Sequence, residues 1–124
     1  MSKHKKKIVF LTGTRADYGK LKSLISITQK SENYEVHIFV TGMHMDSKYG
    51  FTVNEIIKTG FENIHSFTNH VAGEHMDRAL AKTISGFSYF TENLKPDLIV
   101  VHGDRVEAMA GAIVGSLNNI LVAH

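Results

Sequence analysis

Residues 98–114 read LIVVHGDRVEAMAGAIV: four apolar residues, then His102, Gly103, Asp104 and Arg105, then an apolar pattern again. Counted from Val106, the residues Val106, Met109, Ala110, Ile113, Val114 and Leu117 recur at the spacing of one helical face. The run before them, DLIVVHG (97–103), predicts a strand, and NILVAH (119–124) begins another. Two opposite charges therefore stand where a buried strand hands over to a helix.

The same alternation runs back to the start of the chain. KIVFLT (7–12) and EVHIFVTG (35–42) predict strands, and between them Leu21, Leu24, Ile25 and Thr28 predict a helix lying on the sheet. MHMDSKYG (43–50) reads as a loop, TVNEIIK (52–58) as a short helix stopping at Gly60, and ENIHSF (62–67) as a third strand. From Glu74 to Leu94, Met76, Leu80, Ile84, Phe87 and Leu94 share one face of a helix that ends before Pro96. Hydrophobic strands alternating with helices predict an α/β fold, a Rossmann-like parallel sheet covered by helices on both faces.

Composition agrees with a single globular domain. The chain has 124 residues, 43% of them hydrophobic and 21% charged, with one proline, which excludes disordered and fibrous classes. No cysteine is present, so disulfide and thiolate chemistry are excluded. The net charge of +2 owes much to MSKHKKK (1–7), read as a solvated basic tail over residues 1–6; no basic and aromatic face suggests nucleic acid. The apolar runs are strand-sized, so neither a membrane span nor a signal peptide is expected and a cytoplasmic location is. The eight histidines lack metal-ligand spacing, so no metal site is expected.

In such a sheet ligands bind beyond the carboxyl ends of the strands. Three polar clusters fall there: GTRADYGK (13–20), TGMHMD (41–46) and HGDR (102–105). In the first, Gly13 permits close backbone approach, free amides at the helix start favour an anion, and Arg15 has the fork that holds phosphate, while Asp17 is read as a helix cap. The glycine spacing matches neither a dinucleotide fingerprint nor a Walker loop. His44 stands in the second cluster, where a satisfied structural histidine is the plain alternative to a catalytic one. In the third, Asp104 and Arg105 call for a ligand or a pairing; the plain alternative is that Asp104 caps the helix starting at Val106 and Arg105 points to water.

LTGTRADYGKL (11–21), VTGMHM (40–45) followed by Tyr49 and Gly50, IVVHGDRVEAMAGA (99–112), and a strand ending in Ala123 and His124 together resemble the hydrolysing UDP-N-acetylglucosamine 2-epimerases of bacterial sialic-acid and capsule synthesis. The related domain of the bifunctional animal enzyme is also similar, and the resemblance runs in order from about Lys6 to His124. It implies a longer, glycosyltransferase-B-like protein with two Rossmann-like domains and a nucleotide sugar in the cleft between them. On that footing 1–124 is an incomplete N-terminal domain, and the second, UDP-binding domain lies outside it, as do an acidic stretch after the strand-ending histidine and further acid and base residues. The implied reaction eliminates UDP to a glycal, then adds water with inversion at C2, giving N-acetylmannosamine without a cofactor.

Carried over by position, Arg15 and Arg105 resemble the family's substrate-binding arginines, Asp104 its catalytic aspartate, and His44 and His102 histidines on which activity depends. Gly13 and His124 are assigned supporting, substrate-binding parts. Gly19 stands where the animal domain has serine, so a hydroxyl contact is not carried over. A homo-oligomer is implied for the longer protein. Two further readings stay open: the same reaction on UDP-diacetylbacillosamine, and a non-catalytic nucleotide-sugar-binding fragment.

Overall fold

The computed structural model describes residues 5–46, 50, 52–69 and 73–124. Its elements are β1 (Lys6–Thr12), α1 (Arg15–Lys30), β2 (Tyr34–Val40), a single 3-10 turn (Gly42–Met45), α2 (Val53–Lys58), β3 (Ile64–Ser66), α3 (Met76–Leu94), β4 (Leu98–Val100), α4 (Val106–Leu117) and β5 (Leu121–Ala123). All five strands are parallel, in the order β3-β2-β1-β4-β5. The expected strands and helices are present in this order. Part of the predicted loop, residues 47–49, lies outside the described residues, as do residues 1–4 of the basic tail. Lys6 belongs to β1 rather than to the tail, and Lys7, in β1 as expected, donates its Nζ to the Leu94 carbonyl at 3.1 Å.

The chain steps outward from β1 to β3, then crosses to β4 and steps out the other way. Right-handed crossovers then place α1 and α2 on one face and α3 and α4 on the other. Ile8, Phe10, Val36 and Ile38 meet Tyr18, Leu21 and Ile25 of α1 and Val53 and Ile56 of α2. On the opposite face Val9, Leu11, Phe39 and Ile99 meet Phe87 of α3 and Ala108 and Val114 of α4. Burial on both sides is why β1 and β2 carry continuous apolar runs instead of an alternating pattern.

The predicted face of α4 is corrected. Its buried residues are Glu107, Ala108, Ala110, Gly111, Val114 and Gly115, whereas Met109 is 52% and Leu117 78% exposed. The small residues decide this. A Cβ on Gly111 would stand 2.7 Å from Val101 Cγ1 and 2.9 Å from Leu11 Cδ2, and one on Gly115 would strike Val122. The helix therefore turns its glycines to the sheet, approaches it closely, and carries Glu107 inward with them. Smaller corrections apply elsewhere: Leu24 of α1 and Met76 of α3 are exposed, and α3 buries Ala79, Thr83, Phe87 and Thr91.

Candidate active site

Because β2, β1 and β4 are neighbours, the loops after them share one rim, and the topological switch lies between β1 and β4. The first two loops are tied through the backbone, with Met43 N–H donating to the Gly13 carbonyl at 2.8 Å and Thr41 N–H to that of Thr12 at 3.0 Å. This adjacency brings together the clusters around Arg15, His44 and Asp104.

After β1, Thr14 is the N-cap of α1 and Asp17 sits three residues in, forming a reciprocal capping box. The Asp17 carboxylate accepts from Thr14 N–H at 3.0 Å and Gly13 N–H at 3.2 Å, and from the Thr12 hydroxyl. The Gly13 and Thr14 amides are thus occupied by the chain's own carboxylate, and Asp17 N–H donates to the Thr14 hydroxyl at 3.1 Å. Arg15 lies beyond them, its side chain 74% exposed and its Nε 3.4 Å from Glu55 Oε2. Such an exposed pair holds the arginine weakly and leaves it available to a ligand.

His44 is wholly buried beneath the rim. Its Nε2 lies 2.9 Å from Thr12 Oγ1, its Nδ1 lies 2.7 Å from Thr52 Oγ1, and Tyr18 meets its ring edge-on at 6.2 Å. With the Thr12 hydroxyl donating to Asp17, the Thr12 oxygen accepts from Nε2–H and Nδ1 accepts from the Thr52 hydroxyl. A neutral imidazole satisfies every partner. Burial lowers the pKa of His44 below its usual 6.5, against an opposing pull from the Asp17 charge. Its partners among the described residues match the satisfied histidine of the plain alternative, and they connect it to the rim through Thr12 and Asp17.

This has a consequence for stability. A histidine with a lowered folded-state pKa binds fewer protons folded than unfolded below pH 6.5, so stability falls as pH drops through that value towards the folded pKa. His65, also lowered by burial and by His37, adds the same sign. Melting temperature should therefore decline as pH is lowered from about 7 to about 5, and His44→Gln should flatten the slope; an unchanged slope would contradict the assignment.

After β4 the chain leaves the sheet at Val101 and turns through Gly103, whose φ of 93° lies where a side chain would be strained. Arg105, not Asp104, is the N-cap of α4; its carbonyl accepts from Met109 N–H at 3.1 Å and its side chain makes no capping bond. Asp104 is exposed, and among the described residues its carboxylate has no hydrogen-bond or ion-pair partner. Arg105 Nε instead donates to Glu107 Oε1 at 3.3 Å. His124 Nε2 donates to the Gly103 carbonyl at 2.7 Å, and the exposed rings of His102 and His124 lie near parallel, 6.4 Å between centroids. Gly13 stands against Glu107: a Cβ there would lie 2.6 Å from Glu107 Cγ.

The model of the family described as UDP-N-acetylglucosamine 2-epimerase matches residues 26–124. The chain belongs to the UDP-N-acetylglucosamine 2-epimerase family. A UDP-N-acetylglucosamine 2-epimerase of Neisseria meningitidis is 43% identical over 119 residues, covering 96% of this chain and 32% of the relative. A Legionella pneumophila protein named UDP-N,N'-diacetylbacillosamine 2-epimerase (hydrolyzing) is 38% identical over 122 residues, with the same coverage of each. Among solved structures, the Methanocaldococcus jannaschii UDP-GlcNAc 2-epimerase in complex with UDP-GlcNAc and UDP superposes with a TM-score of 0.77 at 27% identity, over 95% of this chain and 32% of that one. The chain spans about a third of the length of the curated relatives it matches.

Among the described residues the rim thus offers an unpaired carboxylate, two half-exposed or exposed guanidinium groups and two exposed imidazoles. Among the described residues no group of three or more His, Asp or Glu could hold a metal ion, and no helix is long and apolar enough to cross a membrane. Asp17 caps α1, as the sequence suggested; sequence reasoning missed Glu107 and Thr12 as parts of the site's framework. Gly111 and Gly115, four and eight residues after Glu107, were the available signal that this face of α4 is the buried one.

Proposed function

We propose that the segment supplies the sugar- and diphosphate-facing N-terminal part of a hydrolysing 2-epimerase acting on UDP-N-acetylglucosamine. The observation that carries this proposal is the unpaired Asp104 flanked by Arg105, on the same rim as Arg15, at the switch point of a sheet in this family. Nothing on the sugar ring acidifies the C2 hydrogen. Loss of that proton coupled to cleavage of the C1–O bond gives a glycal and UDP; water then supplies OH to C1 and a proton to the other face of C2. Asp104 takes part in proton transfer at the sugar. Arg15 and Arg105 stabilise the charge of the departing diphosphate. His102, with His124 beside it, orients the sugar, His44 positions the Thr12–Asp17 framework, and Gly13 keeps the first loop close to Glu107.

The name and identity of the Legionella relative support a second substrate, UDP-diacetylbacillosamine, for the same chemistry. The role in sialic-acid or capsule synthesis and the homo-oligomer rest on the sequence resemblance, and the cytoplasmic location on the strand-sized length of the apolar runs. Turnover in deuterated water tests the reaction. A protein of the relatives' length carrying this segment should release UDP and N-acetylmannosamine bearing deuterium at C2. Product with the original hydrogen retained would exclude elimination and hydration, and UDP release from the diacetylbacillosamine substrate alone would select the second reading. Turnover by neither, with UDP still bound, would favour a non-catalytic binding module.

A further inference from the structure

Glu107 is 5% exposed, a carboxylate that sequence periodicity left without a role. It lies where the three rim loops meet. A Cβ on Gly13 would stand 2.7 Å from its Cδ, and one on Gly42 would stand 2.9 Å from its Oε1 and 2.7 Å from the Gly13 carbonyl. The carboxylate fills the space that two missing side chains leave. Yet the amides of both glycines are committed elsewhere, Gly13 N–H to Asp17 and Gly42 N–H to Asn69 Oδ1 at 2.9 Å. A buried carboxylate needs a compensating partner, and among the described residues the partner is Arg105.

We infer that Glu107 is a positioning residue for anion recognition: lodged between Gly13 and Gly42, it holds Arg105 by Nε and leaves the guanidinium's two Nη groups to a diphosphate. The inference rests on the proposal that this rim takes a nucleoside diphosphate sugar. Only one of the five guanidinium N–H donors is used by Glu107, so a two-pronged contact to phosphate remains open. The contact also draws Arg105 towards α4 and away from its neighbour Asp104, with which it forms no ion pair. Because the carboxylate touches the loops after β1 and β2, the position of Arg105 is set by the packing of all three loops.

The sign of one substitution separates this role from bulk electrostatics. Removing a negative charge beside a polyanion site should tighten binding if Glu107 were only a charge, and weaken it if Glu107 orients Arg105. Pyrophosphate and UDP are titrated calorimetrically into a protein of the relatives' length carrying this segment, unaltered or with Glu107→Met or Glu107→Gln, with amide spectra confirming the fold and the arginine Nε–H resonances followed for exchange. Glu107→Met, which fills the gap without an acceptor, should lose the protected Arg105 Nε–H and about tenfold in affinity, the worth of one charge-assisted hydrogen bond. Glu107→Gln, which keeps an acceptor, should recover part of both. Equal or tighter binding by a folded Glu107→Met chain would overturn the inference, as would lowered melting with binding unchanged. A protected Nε–H in the unaltered chain that binds neither probe would overturn the substrate proposal and leave the Glu107–Arg105 contact standing; protection that survives in Glu107→Met would overturn the contact.

Discussion

Asp104→Asn, in a protein of the relatives' length, is expected to lower turnover by about two to four orders of magnitude, the range contributed by a positioned general acid or base. Asparagine reproduces the shape and polarity of aspartate but takes no proton at neutral pH. The substitution is clean because Asp104 is exposed, is not the N-cap of α4 and has no ion-pair partner among the described residues. Its effect on stability should stay within about 0.5 kcal/mol. Steady-state rates and a denaturant titration on the same preparation check both halves. A normal rate would remove Asp104 from the mechanism, and a large stability loss would show that its carboxylate has a structural partner after all.

Phe87→Ala should produce the largest stability loss, about 3–5 kcal/mol, the usual cost of truncating a buried aromatic ring. Phe87 is fully buried on the α3 and α4 face, its ring 5.0 Å from that of Phe39 at 67° and 6.1 Å from that of Phe90. The gap would open between a helix and a strand ladder, where neighbours collapse poorly. For a domain of this size the melting temperature should fall by roughly 10–20 °C. Phe87→Leu, which keeps most of the volume, should lose far less. The loss matters for the site because α3 carries the chain across from β3 to β4 and so creates the switch point. A drop below about 1 kcal/mol would mean that α3 is not docked on the sheet through this ring.

The strands were legible because a parallel sheet buried on both faces needs continuous β-branched and aromatic runs, and IVFLT and VHIFV are such runs. The handover from strand to helix at HGDR was equally plain, and it alone puts Asp104 and Arg105 on the rim. The inward face of α4 was not legible. Apolar residues surround that helix, so its large side chains define a stripe that the fold turns outwards, and contact distances at Gly111 and Gly115 choose the other face.

That choice settles the question posed by the two charges. Local sequence suggested that they pair or engage a ligand, or that Asp104 caps the helix. In the folded chain Arg105 takes the cap position and pairs with Glu107, and Asp104 is left exposed. The types of residue on the rim, and the order of strands that would bring them together, follow from short-range patterns of burial and turn chemistry. Which charge meets which depends on how closely α4 approaches the sheet and on how two glycines from distant loops make room for a carboxylate. Such contacts join residues as far apart in sequence as Gly13 and Glu107, and no local periodicity encodes them.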